Sequence, residues 1–204
     1  MADHHIEPSE LGHELALEQF RLPADIATGV GDLYGTAPPD TAAAWVAMLR
    51  DRKRGYDGEP PTIEDLCTTD DGAHAFVDGD RSQSYICVLD PLVVPFLADT
   101  PGTIRSTTPE RGAAVEITVA PDGVDYSHPN AVVSLGVADE VDCDSCPSIE
   151  ETYKQVCPYI HVFEDEAEYE TWAANTEAAT TQVPVETGVA LASAFAENLF
   201  GPAG

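Results

Sequence analysis

Residues 103–137 read TIRSTTPERGAAVEITVAPDGVDYSHPNAVVSLGV and contain three runs that are typical of β-strands, 103–107, 114–119 and 131–137. A fourth such run, 73–77, precedes them. Gly, Pro, Asp and Asn supply turns between the last three runs, and these links are too short for helical crossovers. The sequence therefore predicts a mostly antiparallel sheet.

Helical patterns flank the strands on both sides. Asp40 follows two prolines and can cap a helix over about 41–52, where apolar residues recur at helical spacing. A last amphipathic helix is expected from about Val185 to Phe200. The predicted fold class is α+β, a mostly antiparallel sheet flanked by helices. A small helical, winged-helix-like N-terminal region, 1–65, is expected to precede a domain formed by 66–204.

The charge of the chain is strongly negative, with 37 acidic against 9 basic residues and a net charge of -28. Nucleic-acid binding requires a basic surface, so we expect no nucleic-acid partner. Hydrophobic residues make up 43% of the chain and recur with clear periodicity, so most of it should fold. We interpret the acidic excess as the surface of a halophilic protein, which is adapted to high salt.

The sequence shows no sign of export or of membrane insertion. Its first residues lack the apolar core of a signal peptide, and no run of about 18 apolar residues is present. We expect a cytoplasmic protein with no membrane partner. Five cysteines, an odd number, then predict free thiols or metal ligands rather than disulfides.

Cys87 and Asp90 lie in the apolar segment YICVLDPLVVPFL, residues 85–97. A charge is costly in such surroundings, and a spacing of three residues places the thiol and the carboxylate on one face of a helix. The N-terminal end of that helix would favour a thiolate. The alternative stays open that Cys87 fills the core and that Asp90, directly before Pro91, caps the helix.

Cys157 lies in a second apolar segment, VCPYIHVF, residues 156–163, in which Tyr159 to Phe163 is predicted to form a strand after Pro158. We interpret the two segments as meeting in one site. Within the second segment, His161 is expected to be a hydrogen-bonded core residue rather than a metal ligand.

Cys143 and Cys146 have the CxxC spacing that suits one metal ion or a redox pair. A structural zinc site needs four ligands, and the sequence offers no second CxxC. Thioredoxin-like chemistry fits poorly, because CxxC there opens a helix in a βαβ unit. Cys67 is expected to be a small buried hydrophobic residue.

The two apolar segments resemble the catalytic segments of the organomercurial (alkylmercury) lyases. Tyr85-x-Cys87-x-Leu89-Asp90-x-Leu92-x-x-Pro95 resembles the first segment of that family, and Cys157-Pro158-Tyr159-Ile160-His161-Val162-Phe163 resembles the second. The likeness spans roughly residues 66–200 and includes Trp172.

The resemblance implies cleavage of carbon–mercury bonds, from R–Hg⁺ to R–H and Hg(II), without an organic cofactor. It implies that Cys87 and Cys157 bind mercury as thiolates and that Asp90 accepts a thiol proton and delivers it to the carbon. Two soft thiolates bind mercury strongly and make the attached carbon basic enough to take a proton. Small thiols or a mercuric reductase would then remove the Hg(II).

Two features depart from the family pattern. A cysteine that the family often carries in a strand is absent here, where the sequence reads Ser106-Thr107-Thr108, and Cys143 and Cys146 are additional. Their position before Cys157 suggests a relay that accepts Hg(II). The rival interpretation is a non-catalytic module of the same fold, which holds Zn(II), Cu(I) or Hg(II) through Cys143, Cys146 and Cys157.

Overall fold

The structure of the protein, a computed structural model, describes residues 17–57, 61–139 and 154–200. Within these ranges the predicted α+β class is confirmed, because antiparallel strands form two sheets and helices pack against them. Cys143 and Cys146 lie outside the described residues. No helix in the described ranges is both long and apolar enough to cross a membrane.

Along the chain, two helices come first, strands with one helix follow, and strands and helices alternate towards the end. The helices are α1 (Ala24–Tyr34), α2 (Ala42–Asp57), α3 (Leu89–Ala98), α4 (Glu166–Ala173) and α5 (Val185–Asn198). The strands are β1 (Thr68–Thr69), β2 (His74–Asp78), β3 (Arg81–Tyr85), β4 (Gly102–Thr107), β5 (Ala114–Ala120), β6 (Gly123–Tyr126), β7 (Val132–Ala138), β8 (Val162–Phe163) and β9 (Ala178–Pro184). Short 3-10 turns are formed by Ile63–Asp65 and Cys157–Tyr159.

The larger sheet has six antiparallel strands in the order β1-β3-β2-β4-β5-β6. Strand β5 shows why these residues form a sheet, because Val115, Ile117 and Val119 alternate with more exposed residues and are fully buried. Ile117 pairs with Ile104 on β4, which is also fully buried. Burial of each such side chain stabilises the fold by about 1.5–3 kcal/mol.

The smaller sheet has three antiparallel strands in the order β8-β7-β9. Its central strand β7 is buried along nearly its whole length, and α1 packs against β7 and β9. A Cβ on Gly29 of α1 would lie 2.5 Å from Cγ1 of Val137, so glycine permits this close approach. The predicted boundary between 65 and 66 stays a prediction.

Helices α3 and α5 pack against each other, and each follows a strand of a different sheet. Helix α3 leaves β3 of the six-stranded sheet, whereas α5 leaves β9 of the three-stranded sheet. The packing therefore brings the start of α3 towards the smaller sheet.

The structure corrects two of the predicted local features. Helix α2 begins one residue later than Asp40 suggested, and the hydroxyl of Thr41 accepts the hydrogen bond from the N–H of Ala44. The segment 159–163, which was expected to be a strand, begins as a 3-10 turn, and only Val162–Phe163 pair with β7. Pro158 favours the turn, because it has no N–H to donate to a strand neighbour.

Candidate active site

The two apolar segments that contain Cys87 and Cys157 lie side by side. The N–H of Val88 donates to the carbonyl of Ile160 at 3.0 Å, and the thiols of Cys87 and Cys157 lie close enough to shift each other's pKa. Both cysteines are buried, with 2% and 5% of their surface exposed, and both are free. The structure thus brings together the two thiols that the sequence analysis placed in one site.

Asp90 lies in the first turn of α3 beside Cys87, where its backbone N–H lowers and its charge raises the pKa of the Cys87 thiol. The alternative that Asp90 caps this helix is wrong. The N-cap residue is Val88, which provides no side-chain cap, and the Asp90 Oδ2 atom instead accepts the N–H of Cys67 at 2.8 Å. The carboxylate is therefore turned away from the helix end and towards the thiols.

Cys67 completes the group, and it packs against the hydrophobic core as expected, although it is not fully buried. It is only partly buried, and its sulfur, the Cys157 sulfur and an Asp90 carboxylate oxygen all lie within 4.8 Å of one another. We call Cys67, Cys87, Asp90 and Cys157 the thiol cluster. No local motif marks Cys67, but the pairing of β1 with β3 fixes its place, because the Ile86 N–H donates to the Cys67 carbonyl at 3.1 Å.

Strand β7 holds the turn at Cys157–Tyr159 in place. The Ser134 hydroxyl donates to the Tyr159 carbonyl at 2.9 Å and accepts the N–H of His161 at 2.8 Å. A Cβ at Gly136 would lie 2.6 Å from the Cβ of Tyr159, so glycine lets the turn lie directly on the strand. The position of the Cys157 sulfur is thus set by the sheet.

Burial raises the pKa of Asp90 to about 6, although hydrogen bonds from the Cys67 N–H and the Cys87 thiol act in the opposite direction. A carboxyl group with this pKa is largely ionised at neutral pH, yet it gains a proton more readily than an ordinary aspartate. It is therefore suited to accept a proton and to give it back.

The pKa values of the three thiols are shifted in different directions. The pKa of Cys157 is raised. The largest cause is its interaction with the Cys67 thiol, followed by its interaction with the Cys87 thiol and by burial. The pKa of Cys67 is lowered by its hydrogen bond with Cys157. For Cys87 the hydrogen bond with Cys157 lowers the pKa, but burial and the Asp90 charge together raise it. Cys157 thus interacts with both of the other thiols of the group.

A second polar group, which we call the histidine chain, lies on the other side of the turn. It comprises Ser106, His74, His161 and the Pro158 carbonyl. The Ser106 hydroxyl lies 2.9 Å from Nδ1 of His74, Nε2 of His74 lies 3.1 Å from Nδ1 of His161, and Nε2 of His161 lies 2.7 Å from the Pro158 oxygen. Trp172 packs edge-on against the His161 ring at 5.4 Å.

The histidine chain has one consistent arrangement of protons. The Pro158 carbonyl can only accept, so Nε2 of His161 donates, His74 donates through Nε2, and Ser106 donates to Nδ1 of His74. Burial lowers the pKa of His74 to about 3 and also lowers that of His161, so both rings are neutral. The expectation that His161 is a hydrogen-bonded residue is confirmed, and both of its ring nitrogens are engaged.

The family model for alkylmercury lyase, MerB, matches residues 68–197 of the chain. The chain belongs to the alkylmercury lyase family. The matched part includes Cys87, Asp90 and Cys157 of this family member, whereas Cys67 lies directly before its first residue.

A solved structure supports the same fold for this alkylmercury lyase family member. The crystal structure of the mercury-bound form of MerB2 is similar to the chain with a TM-score of 0.51 and 12% sequence identity, and the likeness covers 87% of this chain and 100% of that one. At this identity the likeness shows the fold alone. No curated protein matches the sequence.

Proposed function

We propose that this protein is an organomercurial lyase that cleaves carbon–mercury bonds by protonolysis. The observation that carries the proposal is the convergence of the buried Cys87 and Cys157 thiols with the Asp90 carboxyl group. Family membership supports the same activity. No step of the proposed reaction uses an organic cofactor.

In the first step, the mercury of R–Hg⁺ binds the sulfur of Cys87 as the thiol proton moves to Asp90. Asp90 lies three residues after Cys87, in the first turn of α3, and the two groups shift each other's pKa, so the proton has a short path between them. Cys157 then adds the second sulfur, and its proton leaves to solvent. Thiolates are soft ligands that suit a soft metal such as mercury.

In the second step, the protonated Asp90 delivers its proton to the carbon attached to mercury. Two thiolates on the metal raise the electron density on that carbon, and the carbon–mercury bond breaks as the carbon–hydrogen bond forms. The products are R–H and Hg(II) held by Cys87 and Cys157. One thiol proton ends on the hydrocarbon and the other in solvent, so the step balances without a redox change.

The product is expected to leave by ligand exchange with small thiols or with a mercuric reductase, both of which offer competing sulfurs. We expect no nucleic-acid partner, because the chain has a net charge of -28 and would repel the negatively charged phosphates.

The test is single-turnover cleavage of phenylmercury in high salt with excess small thiol, in which benzene is measured by gas chromatography. Cys157→Ser is expected to abolish benzene formation, because one thiolate cannot activate the carbon as two do. The matched control is Cys143→Ser/Cys146→Ser, which also removes thiols but should keep single-turnover cleavage. Wild-type activity in the Cys157→Ser variant would refute the proposed mechanism.

The same experiment separates the lyase from the rival metal-binding module. A module that used Cys143, Cys146 and Cys157 would bind Hg(II) and release no benzene. The control variant would then lose Hg(II) affinity, and Cys87→Ser would leave that affinity unchanged.

A further inference from the structure

Cys67 stands on the open side of the thiol cluster. It is partly exposed, whereas Cys87 and Cys157 are 2% and 5% exposed. Both backbone polar groups of Cys67 are hydrogen-bonded: its N–H donates to the Asp90 carboxylate, and its carbonyl accepts the N–H of Ile86. The residue is therefore held beside the buried thiols and is itself partly exposed.

The distance between Cys67 and Cys157 suits a shared metal ion. Their sulfurs lie within 4.8 Å of each other and of an Asp90 carboxylate oxygen. Metal–thiolate bonds are about 2.3 Å long, so two sulfurs that bind one metal ion lie within about 5 Å. Cys157 also hydrogen-bonds to Cys87, so it stands between two thiols that could each be its partner.

We propose that Cys67 and Cys157 form a second mercury site, which shares Cys157 with the cleaving pair and passes Hg(II) from the buried site to solvent. This inference rests on the proposed function for its source of Hg(II). The residue lies outside the part of the chain that the family model matches, so family membership does not imply this role.

The transfer is a ligand exchange that keeps mercury as Hg(II). The sulfur of Cys67 forms a bond to the mercury as the bond to the Cys87 sulfur breaks, and Cys157 stays bound throughout. The Cys67 thiol proton moves to the Cys87 sulfur by way of the Asp90 carboxylate, which contacts both residues. The number of thiolates on mercury is two before and after the step.

The direct test adds Hg(II) acetate to protein in a chloride-free sulfate buffer and counts sulfur ligands by X-ray absorption. Cys143→Ser/Cys146→Ser serves as the background, so that only the thiol cluster can bind. Adding Cys87→Ser should leave two sulfurs on mercury, from Cys67 and Cys157. Adding Cys67→Ser as well should leave one sulfur and weaken binding by about a hundredfold or more, because a chelating partner is lost.

One sulfur in the Cys87→Ser protein would overturn the inference. The measurement uses Hg(II) itself and no organomercurial, so its outcome does not depend on cleavage. If phenylmercury were not cleaved but two sulfurs remained in the Cys87→Ser protein, the proposed function would fail and the second site would stand. If phenylmercury were cleaved but only one sulfur remained, the reverse would hold.

A second measurement keeps the inference testable if Cys87→Ser does not fold. Cys67→Ser alone changes a partly exposed residue, and its rate of Hg(II) transfer to excess small thiol can be compared with that of the wild type. Release should slow by about tenfold or more, because the incoming thiol must reach buried sulfurs. An unchanged release rate would contradict a role for Cys67 in transfer.

Discussion

The thiol cluster and the histidine chain meet at the same turn, Cys157–Tyr159, but they hold their protons in different ways. In the histidine chain every ring nitrogen has one partner and one role, and the rings are neutral. In the thiol cluster, the Cys157 thiol interacts with both the Cys67 and the Cys87 thiols, and the pKa of Asp90 is raised to about 6. Protons can therefore move in the cluster, whereas the chain fixes them.

This difference suggests a division of labour between the two groups. A buried polar network that is fully satisfied rigidifies its surroundings. The histidine chain ends on the Pro158 carbonyl, one residue from the Cys157 thiol, so it can position that thiol without taking part in the chemistry. The thiol cluster would then carry the reaction on a turn that the histidine chain keeps still.

The largest expected effect concerns the proton donor. Asp90→Asn should lower the single-turnover rate of carbon–mercury cleavage by about a hundredfold to ten-thousandfold, which is the usual contribution of a general acid. Asp125→Asn, on the exposed far-edge strand β6, is the matched control and should cleave at the wild-type rate. Equal rates for the two variants would place the proton donor elsewhere.

The histidine chain should respond in stability rather than in chemistry. His74→Leu leaves the Ser106 hydroxyl and Nδ1 of His161 without their partners, and each loss costs about 1–3 kcal/mol. We expect urea unfolding in high salt to show a drop of about 2–6 kcal/mol in the free energy of unfolding, the sum of the two losses. His74→Gln, which keeps polar atoms in the cavity, should lose less.

A cleavage rate of the folded His74→Leu protein that falls as far as that of Asp90→Asn would contradict the division of labour. The histidine chain would then be part of the reacting machinery rather than its support.

The pH dependence of cleavage should report the thiol cluster. The free enzyme needs the ionised Asp90 to accept a thiol proton, and the pKa of this group is about 6. Activity should therefore be present above this pKa and fall as the pH drops through it, with kcat/KM declining about tenfold per pH unit well below it. A profile that stays flat below about pH 6 would show that Asp90 is not the acceptor.

The smallest effect is expected at the end of the histidine chain. Ser106→Ala removes only the hydroxyl that donates to Nδ1 of His74, so the free energy of unfolding should fall by about 1 kcal/mol. Thermal unfolding in high salt, with Ser82→Ala on the exposed part of β3 as control, measures the difference. A loss as large as that of His74→Leu would mean that the hydroxyl has a further role.

Strands with apolar alternation could be predicted from the sequence, and those without it could not. Strand β5 places Val115, Ile117 and Val119 on one face, and this pattern is plain in the sequence. Strand β3 reads RSQSY and is mostly exposed, so only its pairing with β1 and β2 makes it a strand. Tertiary context overrode local preference there.

The candidate site divides in the same way. Cys87 and Cys157 lie in apolar segments and could be singled out from the sequence and placed in one site, and the structure adds the backbone contact between Val88 and Ile160 that joins the two segments. Cys67 has no such context, and it reaches the cluster because β1 pairs with β3. His74 likewise gave no local signal, since its partner His161 lies 87 residues further along the chain, directly before β8, and their contact depends on the packing of the two sheets.

The central claim is that two thiolates and one carboxylic acid transfer a proton to carbon on mercury. The most direct measurement is the methane formed from methylmercury by the wild-type protein in deuterated, high-salt buffer with excess small thiol. The account predicts methane that carries one deuterium, in a one-to-one ratio with the total Hg(II) formed. Methane formation that is absent, or equal in Cys87→Ser and wild type, would contradict it.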